Sequence, residues 1–239
     1  MSIQVPDQVK GAGGPGRDSE EHPPSTTGFY SNYGKRALDI LAATVGMILL
    51  SPVFALVACC IKLTSRGPVL YRQVRIGQGG CLFRIVKFRS MKLQGSNSDL
   101  RITIAGDSRV TPIGRFLRRY KVDELPQLWN VIRGDMSLVG PRPEVPAYVE
   151  DYSPAQRLVL SARPGITDPA SLAYRHEEEI LSGQGDPEHF YRTKILPDKL
   201  ARNRTYLEKI TLRNDVGIIV KTICSSFLLT VKAEVRPPF

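Results

Sequence analysis

The longest apolar stretch of the chain runs from Ala37 to Ile61 (ALDILAATVGMILLSPVFALVACCI), and Asp39 is its only charge. As one straight helix, about 25 residues at ~1.5 Å each would reach about 37 Å, enough to cross a hydrocarbon core of about 30 Å. Pro52 interrupts the run. Proline has no N–H and its ring crowds the carbonyl four residues back, here that of Ile48, so a kink is predicted at Ser51-Pro52. Ser51 can bond locally to the backbone groups that the break frees, which makes a break tolerable in lipid. Lys35 and Arg36 precede the stretch, and Lys62 and Arg66 follow it. Positive flanks mark the cytoplasmic side, and both ends carry them. A helix–break–helix over residues 34–66 that enters one leaflet and returns satisfies both ends. A kinked transmembrane helix, the commoner element in general, leaves one basic end outside.

After Gly67-Pro68 the period changes. Val69–Val74 and Phe83–Phe88 are β-rich runs on either side of Gly77-Gln78-Gly79-Gly80, a hairpin with a glycine-containing loop. Thr111-Pro112 leads into a helix through Ile113, Phe116, Leu117 and Tyr120. A second helix follows, with Leu125, Leu128, Trp129 and Ile132 at i, i+3, i+4 and i+7. Such a stripe is usually core; beside a membrane-inserted segment it serves equally as an amphipathic interface helix with Trp129 at the headgroups. Further helices are expected at Leu200–Ile210 and Ile218–Val231, the latter too short to cross comfortably. Residues 1–33, rich in Gly, Pro, Ser and charge, read as a disordered polar tail without the apolar stretch of a signal peptide. The fold class expected is α+β and mostly helical: polar tail, re-entrant element over 34–66, and a cytoplasmic domain over 67–239.

Composition narrows this picture. A hydrophobic fraction of 42% and a mean hydropathy of −0.15 over 239 residues exclude a wholly disordered chain and a multi-pass membrane protein. Cys59, Cys60, Cys81 and Cys224 have no CxxC spacing, so neither a zinc site nor a disulfide framework is indicated. The net charge of +10 is concentrated: residues 35–145 hold 18 Lys and Arg against 7 Asp and Glu. Nucleic acid would account for the charge but not its position, because the basic residues flank a lipid-length apolar run and match no groove-reading motif.

The candidate chemistry lies inside that basic segment. Asp123-Glu124 begins the second helix, a place where carboxylates commonly serve only as dipole and capping partners. Arg118, Arg119 and Lys121 stand just upstream, and Lys87 and Arg89 come from the hairpin. Acids in a cationic field are expected to keep depressed pKa values and stay ionised, as nucleophile or metal ligand. Attack of a carboxylate on a phosphoryl group requires that their repulsion be neutralised by Mg²⁺ or guanidinium groups. Downstream, Pro141 and Pro143 fix the backbone around Arg142, lowering the entropy lost when its guanidinium grips a phosphate; an ordinary loop with a surface ion pair is the equal alternative. His22, His176 and His189 show no ligand spacing.

KRALDILAATVGMILLSPVFALVACCIKLTSRGPVLYRQVRIG, then FRIVKFRSM, then TPIGRFLRRYKVDELPQLWNVIRGDMSLVGPRPE resembles the bacterial sugar transferase family, the monotopic phosphoglycosyl transferases. The resemblance runs from about Lys35 to the Arg163–Thr167 motif and, more weakly, to about Thr222. It implies transfer of a sugar-1-phosphate from a nucleotide diphosphate sugar, with a lean to uridine, onto undecaprenyl phosphate at the cytoplasmic face of the bacterial inner membrane. Asp123 matches the family's nucleophile, forming a phosphosugar-enzyme intermediate, and Glu124 its Mg²⁺ ligand. Arg118 and Arg142 match its substrate-binding arginines, and Ser51-Pro52 the break of its re-entrant helix; Lys87 and Arg89 complete the expected substrate-binding set. Asp168–Leu172 follows the Arg163–Thr167 motif where many members carry Gly-Trp-Ala-Gln. A reading from another class is a non-catalytic membrane-surface module that docks anionic lipid or partner proteins; it predicts indifference to Mg²⁺ and to Glu124→Gln. The oligomeric state, a homodimer included, is open.

Overall fold

A computed structural model describes residues 30, 34–92 and 102–227. Apart from Tyr30, the polar tail lies outside the described residues, as does the end of the last predicted helix. The chain is mostly helical with a small two-stranded antiparallel sheet, an α+β architecture.

The long apolar stretch is broken where proline demands it. α1 (Lys35–Leu49) and α2 (Ser51–Thr64) meet at Leu50 with a bend of 60°. Ser51 Oγ donates to the Ile48 carbonyl at 2.8 Å, the carbonyl that the Pro52 ring displaces. No single helix among the described residues is long and apolar enough to cross a membrane. One side of the pair is packed: Ala43 joins Ile85, Leu128, Val131 and Met136, while Val57 and Ile61 join Phe88 and Leu117. The other side leaves Leu41, Ile48, Leu49, Leu56 and Leu63 between 61% and 81% exposed.

β1 (Leu70–Ile76) and β2 (Leu82–Phe88) form the predicted hairpin, with Leu70 opposite Phe88 and Ile76 opposite Leu82. Its loop turns through Gly79 and Gly80, both at positive φ. α3 (Pro112–Arg119) is capped by Thr111, whose Oγ1 accepts from Gly114 N. The second predicted helix is divided. Lys121 takes a left-handed φ of 58°, Val122–Glu124 form one 3₁₀ turn, and α4 (Gln127–Arg133) starts only after Pro126. Pro126 has no N–H to give to a continuous ladder, so the two carboxylates end up on a tight turn ahead of the helix.

β3 (Ser137–Val139) was not legible as a strand; it pairs in parallel with β4 (Gly165–Thr167). The crossing is closed by two glycines. A Cβ on Gly140 would stand 2.4 Å from the Arg163 carbonyl oxygen, and one on Gly165 2.1 Å from Gly140 N, so neither position has space for a side chain. Short helices α5 (Pro146–Val149), α6 (Pro154–Arg157), α7 (Pro169–Ala173), α8 (Glu177–Ser182) and α9 (Pro187–Phe190) lead to α10 (Leu196–Leu207) and α11 (Leu212–Phe227). α5, α8 and α10 contribute Tyr148, Leu181 and Leu200 to a core shared with Tyr152, Tyr191 and Ile195, while α11 packs Ile218 and Ile219 against Val139, Tyr206 and Leu207.

Candidate active site

Two separate elements converge on Glu124. Lys87 Nζ, from β2, donates to its Oε1 at 2.7 Å. Arg142, from the loop after β3, donates Nη2 to Oε1 at 2.5 Å and Nη1 to Oε2 at 3.3 Å, a two-point grip. The backbone around them is fixed from both sides. Asn130 of α4 accepts from Val86 N through Oδ1 at 3.0 Å and donates Nδ2 to the Arg84 carbonyl at 2.9 Å, closing the free edge of β2. That clasp holds the dyad turn, just ahead of α4, in register with Lys87. At the other end of the hairpin, Ile76 N donates to the Glu144 carbonyl and Arg75 Nη1 to the Pro143 carbonyl. Tyr191 Oη donates to Glu144 at 2.7 Å, so the Pro-Arg-Pro loop is tied down on two sides.

The two acids stand in opposite electrostatic states. Both are only 7% exposed. Burial alone would raise Glu124, but the charges of Arg142, Lys87 and Lys121 outweigh it and hold this carboxyl well below the ordinary range. Asp123 is pushed up, first by burial and then by the adjacent Glu124 charge, against a partial pull from Lys87, Lys121 and Arg118. The expected depression of both carboxyls therefore holds for Glu124 and fails for Asp123, because the cations bond to Glu124 and leave Asp123 with their distant field. Asp123 Oδ1 is buried with no hydrogen-bond partner among the described residues. A buried lone acceptor costs stability unless a ligand completes it. Burial also pulls Lys87 down to about 8, despite the Glu124 carboxylate beside it.

The remaining residues singled out in the sequence lie further out. Arg118 contributes to the field at Asp123, but its guanidinium pairs with Glu178 of α8. Arg89 is 3% exposed and donates to the Ser65 carbonyl at 2.9 Å, Ser65 Oγ at 2.8 Å and the Arg66 carbonyl at 2.7 Å. It closes the C-terminal end of α2, and no bond joins it to the dyad. Among the described residues no group of three or more His, Cys, Asp or Glu side chains is arranged to hold a metal. A pair of adjacent carboxylates with one unpartnered oxygen nevertheless suits Mg²⁺, which is commonly held by one or two carboxylates together with substrate phosphates and water. Sequence reasoning missed Asn130, Arg75 and Glu144; none stands out by type, since each acts on backbone or neighbours that only the fold brings near.

The family model for bacterial sugar transferases matches residues 30–228. A UDP-glucose:undecaprenyl-phosphate glucose-1-phosphate transferase of Caulobacter vibrioides is 39% identical over 194 residues, 80% of this chain and 68% of its own length. The exopolysaccharide production protein ExoY of Rhizobium meliloti is 36% identical over 218 residues, 84% of this chain and 89% of its own. A UDP-N-acetylgalactosamine-undecaprenyl-phosphate N-acetylgalactosaminephosphotransferase of Aeromonas hydrophila is 38% identical over 193 residues, of which the chain spans only 42% of the length.

Proposed function

The chain belongs to the bacterial sugar transferase family, and from that premise we propose that it transfers a sugar-1-phosphate from a UDP-sugar to undecaprenyl phosphate, initiating assembly of an exopolysaccharide or related glycoconjugate. The observation that carries this reading is the unequal dyad: an unpartnered, buried Asp123 beside a Glu124 fixed by two cations. A membrane-docking scaffold has no use for a buried carboxylate pair, whose desolvation costs several kcal/mol per ion.

In the first step an Asp123 carboxylate oxygen attacks the phosphorus that bears the sugar. The bond from that phosphorus to the bridging oxygen breaks, and uridine monophosphate leaves with the oxygen and its electron pair. An acyl phosphate then links Asp123 to the sugar phosphate. In the second step an oxygen of undecaprenyl phosphate attacks the same phosphorus, the acyl–phosphate bond breaks, and the Asp123 carboxylate is restored. The raised pKa of Asp123 suits this role, because a more basic carboxylate is the better nucleophile. Lys87, Arg142 and, from further out, Arg118 offset the negative charge that collects on the diphosphate. Glu124, beside the unpartnered Asp123 oxygen, would hold Mg²⁺, and the ion would supply further positive charge there. Detergent-solubilised enzyme with undecaprenyl phosphate and a panel of nucleotide sugars is expected to release uridine monophosphate from a UDP-sugar, and EDTA to stop it. Release from no donor, with or without Mg²⁺, sinks the reading.

The bent α1–α2 pair would enter one leaflet and return, placing the dyad at the cytoplasmic interface. Its exposed leucines and isoleucines, together with Phe116 and Trp129 at 56% and 48% exposure, support an apolar surface in contact with lipid. Cysteines placed at residues 33 and 66 are expected to be labelled by an impermeant reagent from the cytoplasmic side alone. Labelling from opposite sides overturns the re-entrant topology and leaves a kinked span.

A further inference from the structure

Asp39 is the one charge in the apolar stretch, and neither lipid contact nor the chemistry above accounts for it. It lies one turn into α1 at 5% exposure, where a carboxylate without partners is strongly disfavoured. Its partners come from the catalytic side of the molecule. Oδ2 accepts from Ser137 Oγ at 2.6 Å, and Oδ1 accepts from Leu138 N at 3.1 Å. Ser137 is itself 1% exposed. These are the first two residues of β3, and the rest of that strand is held with equal tightness. Ser137 N donates to the Pro164 carbonyl at 2.8 Å, Gly140 N to the Thr167 carbonyl at 3.0 Å, and Gly165 N to the Pro141 carbonyl at 3.0 Å.

Only Gly140 and Pro141 separate β3 from Arg142. The glycine is locked by its contact with Gly165 and the proline by its ring, so a shift of β3 passes to Arg142 with little slack. One turn earlier on α1, Arg36 donates to the Val131 carbonyl at 2.7 Å and the Ile132 carbonyl at 3.2 Å, at the end of α4. The opening turns of α1 thus grip α4, which follows the dyad, and β3, which leads to Arg142.

We propose that Asp39 is a positioning residue for the transfer reaction: through Ser137 and Leu138 it sets the place of β3, and through β3 it sets Arg142 against Glu124. The seating of the broken apolar helix and the geometry of the phosphate-binding arginine are then one structure. This rests on the role given to Arg142 above.

Asp39→Ala leaves the Leu138 N–H and the Ser137 hydroxyl without their acceptor. A misplacement of about 1 Å at a site can lower turnover by about 10²-fold, and a loss of that order in kcat is expected. Asp39→Asn keeps an oxygen for Leu138 N and is expected to recover most of the rate. A merely structural residue would lower stability as well, so the deciding readout is a double-mutant cycle with Arg142→Lys, a variant that keeps the charge. If Asp39 acts through Arg142, the double variant is expected to lose little beyond the larger of the two single losses. Independent, multiplying losses overturn the proposal, as does a normal kcat in folded Asp39→Ala. Should Asp39→Ala fail to extract as a folded species, Ser137→Ala takes its place in the cycle, with a loss of about 10-fold and the same non-additivity expected. A wild-type enzyme inactive on every UDP-sugar would instead sink the functional reading itself.

Discussion

Replacing Asp123 by Asn is expected to lower turnover by at least about 10³-fold, and to remove any radiolabelled phosphosugar adduct trapped on the protein. Asparagine has the same shape but its amide neither attacks phosphorus nor leaves as a carboxylate. The substitution is also unusually clean. Asp123 makes no ion pair with Lys87 or Arg142, which bond to Glu124. Its Oδ1 has no partner among the described residues, and burial and Glu124 both disfavour its charge. Removing that charge should leave Tm unchanged or higher, the pattern expected where activity is maintained against stability. Loss of activity with loss of folding would point to a structural carboxylate. Normal turnover in the variant would remove Asp123 as nucleophile. A raised pKa also sets the direction of the acid limb: activity falls as pH drops through the Asp123 value, which lies above the usual 3.8.

The parts of the molecule legible in the sequence were those set by local rules. Pro52 dictates the break and Ser51 satisfies the carbonyl it frees. The hairpin follows from alternation and its glycine loop. The α3 start follows from Thr111-Pro112. Non-local pairing was not legible. Three-residue strands such as β3 and β4 carry too little period to be read, and their parallel pairing depends on two glycines 25 positions apart. At the site, residue types and spacing singled out Asp123, Glu124, Lys87 and Arg142, which the fold brings together. Charge counting alone could not foresee that both cations would bond to Glu124 and that Asp123 would be left raised. Arg89 shows the converse: a basic residue two positions from Lys87 on an extended segment points the same way in alternation, yet the Ser65 and Arg66 carbonyls at the end of α2 take its guanidinium. Asp39 was visible as the single charge in an apolar run, but its partners lie 98 and 99 residues away.

Replacing Arg142 by Met is expected to lower kcat/KM by about 10²- to 10³-fold, the scale for removing one preorganised charge donor. Stability is expected to fall by about 3 kcal/mol, the lower end for breaking a buried pair, since the guanidinium keeps 29% exposure. The more specific outcome concerns pH. Burial and the Arg142 charge hold Lys87 down to about 8, against the opposing pull of Glu124. In the proposed reaction the ammonium form is the one that would offset phosphate charge, so wild-type kcat/KM is expected to fall as pH rises through about 8. In Arg142→Met a like charge is gone and Glu124 faces Lys87 alone, so the Lys87 pKa rises and the alkaline limb moves to higher pH. Arg142→Lys keeps the charge and should leave the limb near 8. A limb that stays in place in the Met variant would show that another group titrates. The titration of Lys87 does not itself unfold the chain along the wild-type limb. A lysine whose folded pKa lies at about 8 rather than 10.5 takes up its proton less readily in the folded chain, so this group makes the fold more stable, not less, as pH rises between those values. Activity and the Lys87 contribution to stability therefore move in opposite directions across the same window, and a melting curve recorded beside each rate separates the two.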